Sequence, residues 1–188
     1  MLHNYEISGT YCKLRPVTAS DAQFIVNIRN DPNLNRFLNE IHNDATKQSE
    51  WLEAYFARHG DYYFVVESTN GAARGLISLY DVNDLTGEWG RWIVNAAPTV
   101  SVESSLLIYK FAFEIIGLDS VYCRTVATNV NVISFHDSCG LARRSQIEDA
   151  FLIRGNCYDA IEHSLSKYEF PKVAAHLEKI LRLSRERR

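Results

Sequence analysis

The sequence is short of the residues that break regular structure, with nine glycines and four prolines in 188 residues, where glycine alone averages ~7%. Collagen-like and low-complexity folds are excluded. Its four cysteines, Cys12, Cys123, Cys139 and Cys157, include no Cys-x-x-Cys pair and have no histidine at ligand spacing, so neither a zinc site nor a thioredoxin-type centre is signalled. No metal is expected, and reduced thiols suit a cytoplasmic protein. There is no basic excess either: the net charge of −3 speaks against a nucleic-acid partner, whose phosphates need lysine and arginine to displace their counterions. Long apolar runs are missing, since the most apolar stretch, Leu106 to Leu118, is interrupted by Lys110 and Glu114 and falls short of the ~20 residues that span a bilayer. No membrane partner is expected. The opening residues Met1 to Glu6 lack the basic-then-apolar order of a signal peptide. A glycine-rich strand-to-helix turn is also missing, which argues against a dinucleotide- or methyl-donor-binding domain.

What is present is a chain 46% apolar, 23% charged and 12% aromatic, enough for one core and short for two. Charge is uneven: Lys172 to Arg188 holds six basic residues against two acidic. The simplest reading of that stretch is a solvated helix face with a basic tip.

Tyr11 to Val17 reads as an edge strand because Pro16 cannot donate to a ladder. Ser20-Asp21 caps a helix with Phe24, Ile25 and Ile28 on its buried stripe, and Arg29-Asn30-Asp31-Pro32 stops it. A polar connection leads to a second helix, Thr46 to Arg58, with Trp51, Leu52, Tyr55 and Phe56 on one face. Strands Tyr62 to Glu67 and Gly75 to Val82 flank the turn dipeptide Asn70-Gly71. In the next strand, Glu88 to Val94, strict alternation puts Glu88, Gly90, Trp92 and Val94 on one side and Trp89, Arg91 and Ile93 on the other. Gly90 there marks a bulge or a close approach. A loop, Asn95 to Ser101, precedes a helix from Val102 to Ile116 that is apolar most of the way round, ends at Gly117 and should be sandwiched against a sheet. Then come a strand (Val121 to Ala127), a short helix (Val130 to Ser138) closed by Gly140, two strands (Ala142 to Arg154, Asn156 to Ser166) and a last helix from Pro171. This is a mixed α/β single domain, and its two crossover helices imply a locally parallel region. Residues 1–170 make the domain proper; 171–188 form a basic amphipathic helix packed on it or extending from it.

That order, with Leu14-Arg15-Pro16-Val17 and Asp21, Ile28-Arg29-Asn30-Asp31-Pro32, Tyr63 to Glu67 with Gly75-Leu76-Ile77, and Asn129 to Leu141, resembles the GNAT superfamily of acyl-CoA N-acyltransferases. Within it, the chain is similar to the branch of ribosomal-protein N-terminal and nucleotide-linked amino-sugar acetyltransferases. The resemblance implies a mostly antiparallel twisted sheet with one splayed parallel pair and helices on both faces. It implies acetyl-CoA as co-substrate and a small-molecule primary amine as acceptor, attacked directly in a ternary complex by a monomer or homodimer. The acceptor is expected to be a nucleotide-linked amino sugar, with a protein N-terminus as the alternative. One departure supports a third reading, a non-catalytic sensor or interaction module with impaired CoA binding. The family's pyrophosphate loop carries a glutamine or arginine and glycines, whereas the aligned Ala96-Ala97-Pro98-Thr99-Val100-Ser101 has none of these.

Acyl transfer to an amine needs a base for the ammonium, a donor for the oxyanion and an acid for the thiolate. The resemblance places a water-relaying glutamate at Glu88, the first candidate base; the alternative is a solvent-facing strand-end carboxylate. Glu67 and Asp81 are weaker candidates. Backbone N–H groups near Trp92 and Ile93 are candidate oxyanion donors, with Val94 beside them. Thr99, Val100 and Ser101 are expected to hold CoA, Pro98 to remove one donor, and Glu103 to oppose the anion if it points inward. His136 stands where the family has an acidic tyrosine, and either protonates the thiolate or packs on its helix. Asn129 resembles the asparagine that binds the pantetheine arm. Arg29, Asn30, His42 and Trp89 are the candidate acceptor residues, with His42 an alternative base. Arg36 and Arg91 are further candidate phosphate grips, and Trp51 and Trp92 either stack on substrate or pack in the core. His3, His59, His163 and His176 are expected at the surface. No cysteine stands as a nucleophile, so a ping-pong route is not expected.

Overall fold

The computed structural model describes residues 1–186; Arg187 and Arg188, the end of the basic tip, lie outside the described residues. Eight strands, β1 (Ile7–Ser8), β2 (Cys12–Pro16), β3 (Tyr62–Ser68), β4 (Ala73–Asn83), β5 (Thr86–Val94), β6 (Ser120–Val126), β7 (Ala142–Ile153) and β8 (Asn156–Ser166), form one mixed sheet. Their order in space is β1-β2-β3-β4-β5-β6-β8-β7. All neighbours are antiparallel except β5 and β6. Among the described residues five α-helices, α1 (Ala22–Arg29), α2 (Ala45–Phe56), α3 (Pro98–Lys110), α4 (Val130–Cys139) and α5 (Phe170–Glu186), complete the fold, with a short 3-10 turn over Ala19–Asp21 and a π-helical stretch, Phe111–Ile116, continuing α3.

Helices cover both faces of the sheet, so the apolar side chains fall into two clusters. On one face Phe64, Ile77, Leu79 and Trp89 pack under Leu106, Ile108 and Tyr109 of α3 and Val173, Leu177 and Leu181 of α5. On the other, Val65, Leu76 and Ile93 pack under Ile25 and Ile28 of α1 and Leu52 and Tyr55 of α2. Burial on this scale, at roughly 25 cal/mol per Å² of apolar surface, is what drives the sheet and helices together. No helix among the described residues is long and apolar enough to cross a membrane.

The turn at Asn70-Gly71 forms as expected, with Gly71 at φ +82° and a Ser68 N–H to Ala72 carbonyl bond of 2.9 Å. Four expectations change. β2 is not the edge strand, because β1 pairs outside it through Ile7 with Leu14 and Ser8 with Lys13; Pro16 lies past that pairing. The loop expected over Asn95 to Ser101 is shorter: α3 starts at Pro98, whose missing N–H costs nothing in a first helical turn. Alternation along β5 is broken at Arg91, which has φ +50°, and the register with β4 slips there. Trp89 and Trp92 therefore share the α3 face, their rings 5.6 Å apart, while Arg91 turns onto the Glu88 face. Finally, α4 does not join neighbouring strands, since β8 lies between β6 and β7; only the α3 crossover produces an adjacent parallel pair.

Candidate active site

The parallel pair is short. Thr86, Gly87 and Glu88 of β5 pair with Ser120, Val121 and Tyr122 of β6, yet β5 continues to Val94 and β6 to Val126. Past Glu88 the strands part, and the stretch from Trp89 to Val94 has no partner on that side. Alternate N–H groups of such a stretch face the fork rather than a neighbour. Trp92, Ile93 and Val94 all lie in it. On the α3 face the fork is closed by Trp92, whose indole donates to Ser104 Oγ at 3.1 Å and whose ring lies 5.4 Å from Phe135 of α4.

Glu88 stands where the strands divide and is 6% exposed, so the solvent-facing reading fails. The Tyr80 hydroxyl donates to its Oε1 at 3.0 Å, and Arg124 Nη1 lies 3.5 Å from Oε2. Burial raises its pKa above the ordinary carboxylate value, with Tyr80 and Arg124 opposing the rise. A buried carboxyl whose pKa is raised is a better-matched proton acceptor for catalysis than an ordinary surface carboxylate. Glu67 is committed elsewhere, to Lys13 at 3.0 Å and Arg15 at 2.8 Å. Asp81 is exposed.

Thr99, Val100 and Ser101 belong to the first turn of α3, not to a loop. Val100 is buried in the core, and its N–H is taken by the Ala97 carbonyl at 2.9 Å. Pro98 has no N–H, so of the first two residues of that helix Thr99 alone can offer one to an anion beyond the helix end. Glu103 does not oppose that anion: its carboxylate accepts the N–H groups of Thr10, Tyr11 and Cys12 at 2.7, 2.6 and 2.7 Å, in the turn between β1 and β2. Asn129 precedes α4 at its cap position and makes no side-chain cap bond.

His136 is 2% exposed, in van der Waals surroundings of Trp89, Phe135 and His163. Its Nε2 lies 3.6 Å from Cys123 Sγ. Burial, and then His163, pushes its pKa down to about 3. The ordinary imidazole value assumed for an acid does not hold here; the ring is neutral at physiological pH, as in the packing reading. His136→Phe is expected to leave the alkaline limb of the kcat–pH profile in place, and loss of that limb would restore the acid role. His163 is also buried, against Asp137 at 2.9 Å, and His3 is half-buried among Tyr5, Tyr62 and Phe64.

The other face of the sheet holds a cavity of about 650 Å³ between α1, α2 and the loop joining them, lined among others by Arg29, His42, Lys47, Trp51 and Tyr63. The volume suits a ligand of drug or metabolite size. Arg29 and His42 are thus brought together. Asn30 lines no part of it; its amide is bonded both ways to the Ile41 backbone at 3.1 Å, fixing the loop. Trp89 is on the opposite face, 2% exposed, and cannot stack on an acceptor. Arg36 lies over the Phe37 ring at 5.0 Å, and Arg91 is held by Asp61 at 3.0 Å. A latch joins the loop to the β7–β8 turn: Asn39 donates to the Leu152 carbonyl at 2.8 Å and accepts from the Arg154 N–H at 3.0 Å. Lys47, Tyr80, Arg124 and this latch escape sequence reading, because each acts across strands or loops distant in the chain. Only Tyr80 carried a signal, its place in a hairpin opposite Glu88.

The model of the acetyltransferase (GNAT) domain matches residues 12–142. No curated protein sequence matches the chain. Among solved structures it is similar to apo FdhC, a nucleotide-linked sugar GNAT, with 26% identity, TM-score 0.80, and 95% of this chain and 99% of that one covered. It also has the fold of a variant of the spermidine N-acetyltransferase SpeG from Vibrio cholerae, with 18% identity, TM-score 0.74, and 86% and 97% covered. A third likeness in fold is a putative acetyltransferase from T. thermophilus, with 19% identity, TM-score 0.80, and 96% and 99% covered. With the domain model spanning more than half of the sequence and the forked sheet bearing it out, the chain belongs to the GNAT family and is an acyl-CoA N-acetyltransferase.

Proposed function

We propose that the protein acetylates the primary amine of an anionic acceptor, a nucleotide-linked amino sugar, by direct attack with Glu88 as the base. The observation that carries the acceptor class is the charge of the cavity. Arg29 and Lys47 line it with no carboxylate in salt-bridge reach among the described residues, whereas Glu40, its acidic residue, is paired with Arg154 at 3.3 Å. Arg29 Nη2 donates to the Asn39 carbonyl at 3.2 Å, and the guanidinium has further donors to offer a ligand phosphate. A diphosphate gains from two such cations; a polyamine is repelled by them. Trp51 supplies an aromatic wall that a base can stack on. Glu88 does not itself line the cavity; packed side chains lie between them, with Arg91 5.8 Å from the ring centroid of Tyr63, a lining residue, and 4.4 Å from that of Tyr80, the partner of Glu88.

Acetyl-CoA supplies the activated acetyl group; the fork past Glu88, Thr99 and Asn129 hold it. Glu88 takes the ammonium proton, directly or through water, the freed amine nitrogen bonds to the acyl carbon, and an N–H near Trp92 or Ile93 meets the negative charge that develops on the acyl oxygen. As that oxygen re-forms the carbonyl the C–S bond breaks, and CoA leaves as a thiolate that takes its proton from water.

The test is release of free thiol from acetyl-CoA with nucleoside-diphosphate amino sugars, spermidine and N-terminal peptides offered separately. Turnover is expected with the sugar nucleotides. Turnover with spermidine or peptide and none with sugar nucleotides would overturn the acceptor class. Arg29→Ala is expected to raise KM for the acceptor about 10- to 100-fold, the loss of one charge-assisted contact, with KM for acetyl-CoA unchanged.

A further inference from the structure

Tyr80 and Glu88 are directly paired across β4 and β5, and their side chains meet at 3.0 Å. Two features make that contact possible. At Gly90, two residues on, a Cβ would stand 2.9 Å from the Tyr80 hydroxyl oxygen, so glycine leaves the space in which the phenol lies. No positive φ requires glycine there; the need is for room. Arg91 then adopts φ +50°, which turns its guanidinium back over the Tyr80 ring at 4.4 Å. Asp61 holds that guanidinium from beyond. The phenol is thus boxed in by a missing side chain below and a cation above, with its hydroxyl aimed at the carboxylate.

Resting on the reading of Glu88 as base, we propose that Tyr80 is its positioning residue: the hydroxyl fixes the carboxylate and favours its ionised, proton-accepting form, in a geometry that Gly90 permits. Tyr80 need not touch either substrate to act so. The charged and titratable groups that share its influence on Glu88 are Asp81 from β4, Arg91 from β5, Tyr122, Cys123 and Arg124 from β6, and Glu162 from β8. Asp81 and Glu162 favour the protonated form, Arg124 the ionised one. Arg124 is itself shared with Glu162 at 3.1 Å and stands farther off than Tyr80, which leaves the phenol as the nearer donor.

Removing the hydroxyl leaves burial less opposed, so the carboxyl protonates at higher pH. In Tyr80→Phe the acid limb of the kcat–pH profile is expected to move up by about one pH unit, the worth of one hydrogen bond to a charged group, with KM for acetyl-CoA unchanged. Gly90→Ala, which pushes the hydroxyl away, should move the limb in the same direction. In the Tyr80→Phe background the alanine should add little, since the atom it displaces is gone. A purely structural tyrosine would lower Tm and kcat and leave the limb where it was; that result in Tyr80→Phe overturns the proposal, and Gly90→Ala decides it if the phenylalanine variant does not fold. Glu88→Gln separates the two levels. If it abolishes the acid limb while Tyr80→Phe leaves it unmoved, the positioning role falls alone; if it retains the limb, the base itself is misassigned.

Discussion

Glu88→Gln is expected to lower kcat about 10²- to 10³-fold at neutral pH, the usual worth of a positioned general base. Glutamine keeps the shape of the side chain, and its amide oxygen still accepts from the Tyr80 hydroxyl that now reaches Oε1 at 3.0 Å. The fold should survive, with Tm close to that of the parent. The deficit has a direction in pH. Below the amine's own pKa the acceptor arrives charged and must lose a proton, so the variant suffers most there; as pH rises, more of the amine is already neutral and the two rates converge. The parent's acid limb, reporting a carboxyl whose pKa burial raises, should vanish in the variant. A variant with the parent's rate at every pH would remove Glu88 from the chemistry.

Much of this site was legible because local chemistry and tertiary position agreed. Leu14-Arg15-Pro16-Val17 with Asp21 has a physical cause: Arg15 grips the Asp21 carboxylate with two nitrogens at 2.9 and 2.7 Å, tying β2 to the start of α1. Gly90 reads from the sequence as a bulge or a close approach; the register slips just after it, and it is the Tyr80 side chain that lies close. Gly117 and Gly140 read correctly as helix ends, at φ +85° and +83°. Period two failed on β5 because one residue, Arg91, left the extended region and reversed the phase of everything after it. No count of apolar positions reveals that a charged residue will adopt a left-handed conformation; the network of Asp61, Tyr55 and Tyr80 around its guanidinium holds it there. The protonation of His136 is hidden from the sequence for a related reason. Its place on α4 was visible, but its partners, Trp89, Cys123 and His163, come from three strands, and they determine whether it holds a proton.

Glu103→Ala is expected to destabilise the protein by about 2–4 kcal/mol, from the cost of leaving backbone donors unpaired. The carboxylate is 4% exposed and gathers three consecutive N–H groups, of Thr10, Tyr11 and Cys12. That turn bends around an anion donated by another element, as glycine-rich nests bend around phosphate. Thr10 is exposed and can turn to water when the carboxylate goes, but Cys12 is buried, so its N–H is stranded. Gly9 belongs to the same device, because a Cβ there would collide with the Glu103 carboxylate; Gly9→Ala should cost stability in the same assay. At about 2–4 °C per kcal/mol for a chain of this size, Glu103→Ala should lose roughly 5–15 °C in Tm, and amide exchange at Thr10, Tyr11 and Cys12 should quicken. Glu103→Gln should fall between the two, since its amide nitrogen faces donors it cannot accept from. The consequence reaches the fork: Glu103 lies on α3 one turn beyond Thr99, and the nest holds that helix to β2 while β5, the strand it crosses from, is free of β6 past Glu88. A Tm within a degree of the parent would mean that the turn finds its donors other partners and that α3 is anchored by its apolar face alone.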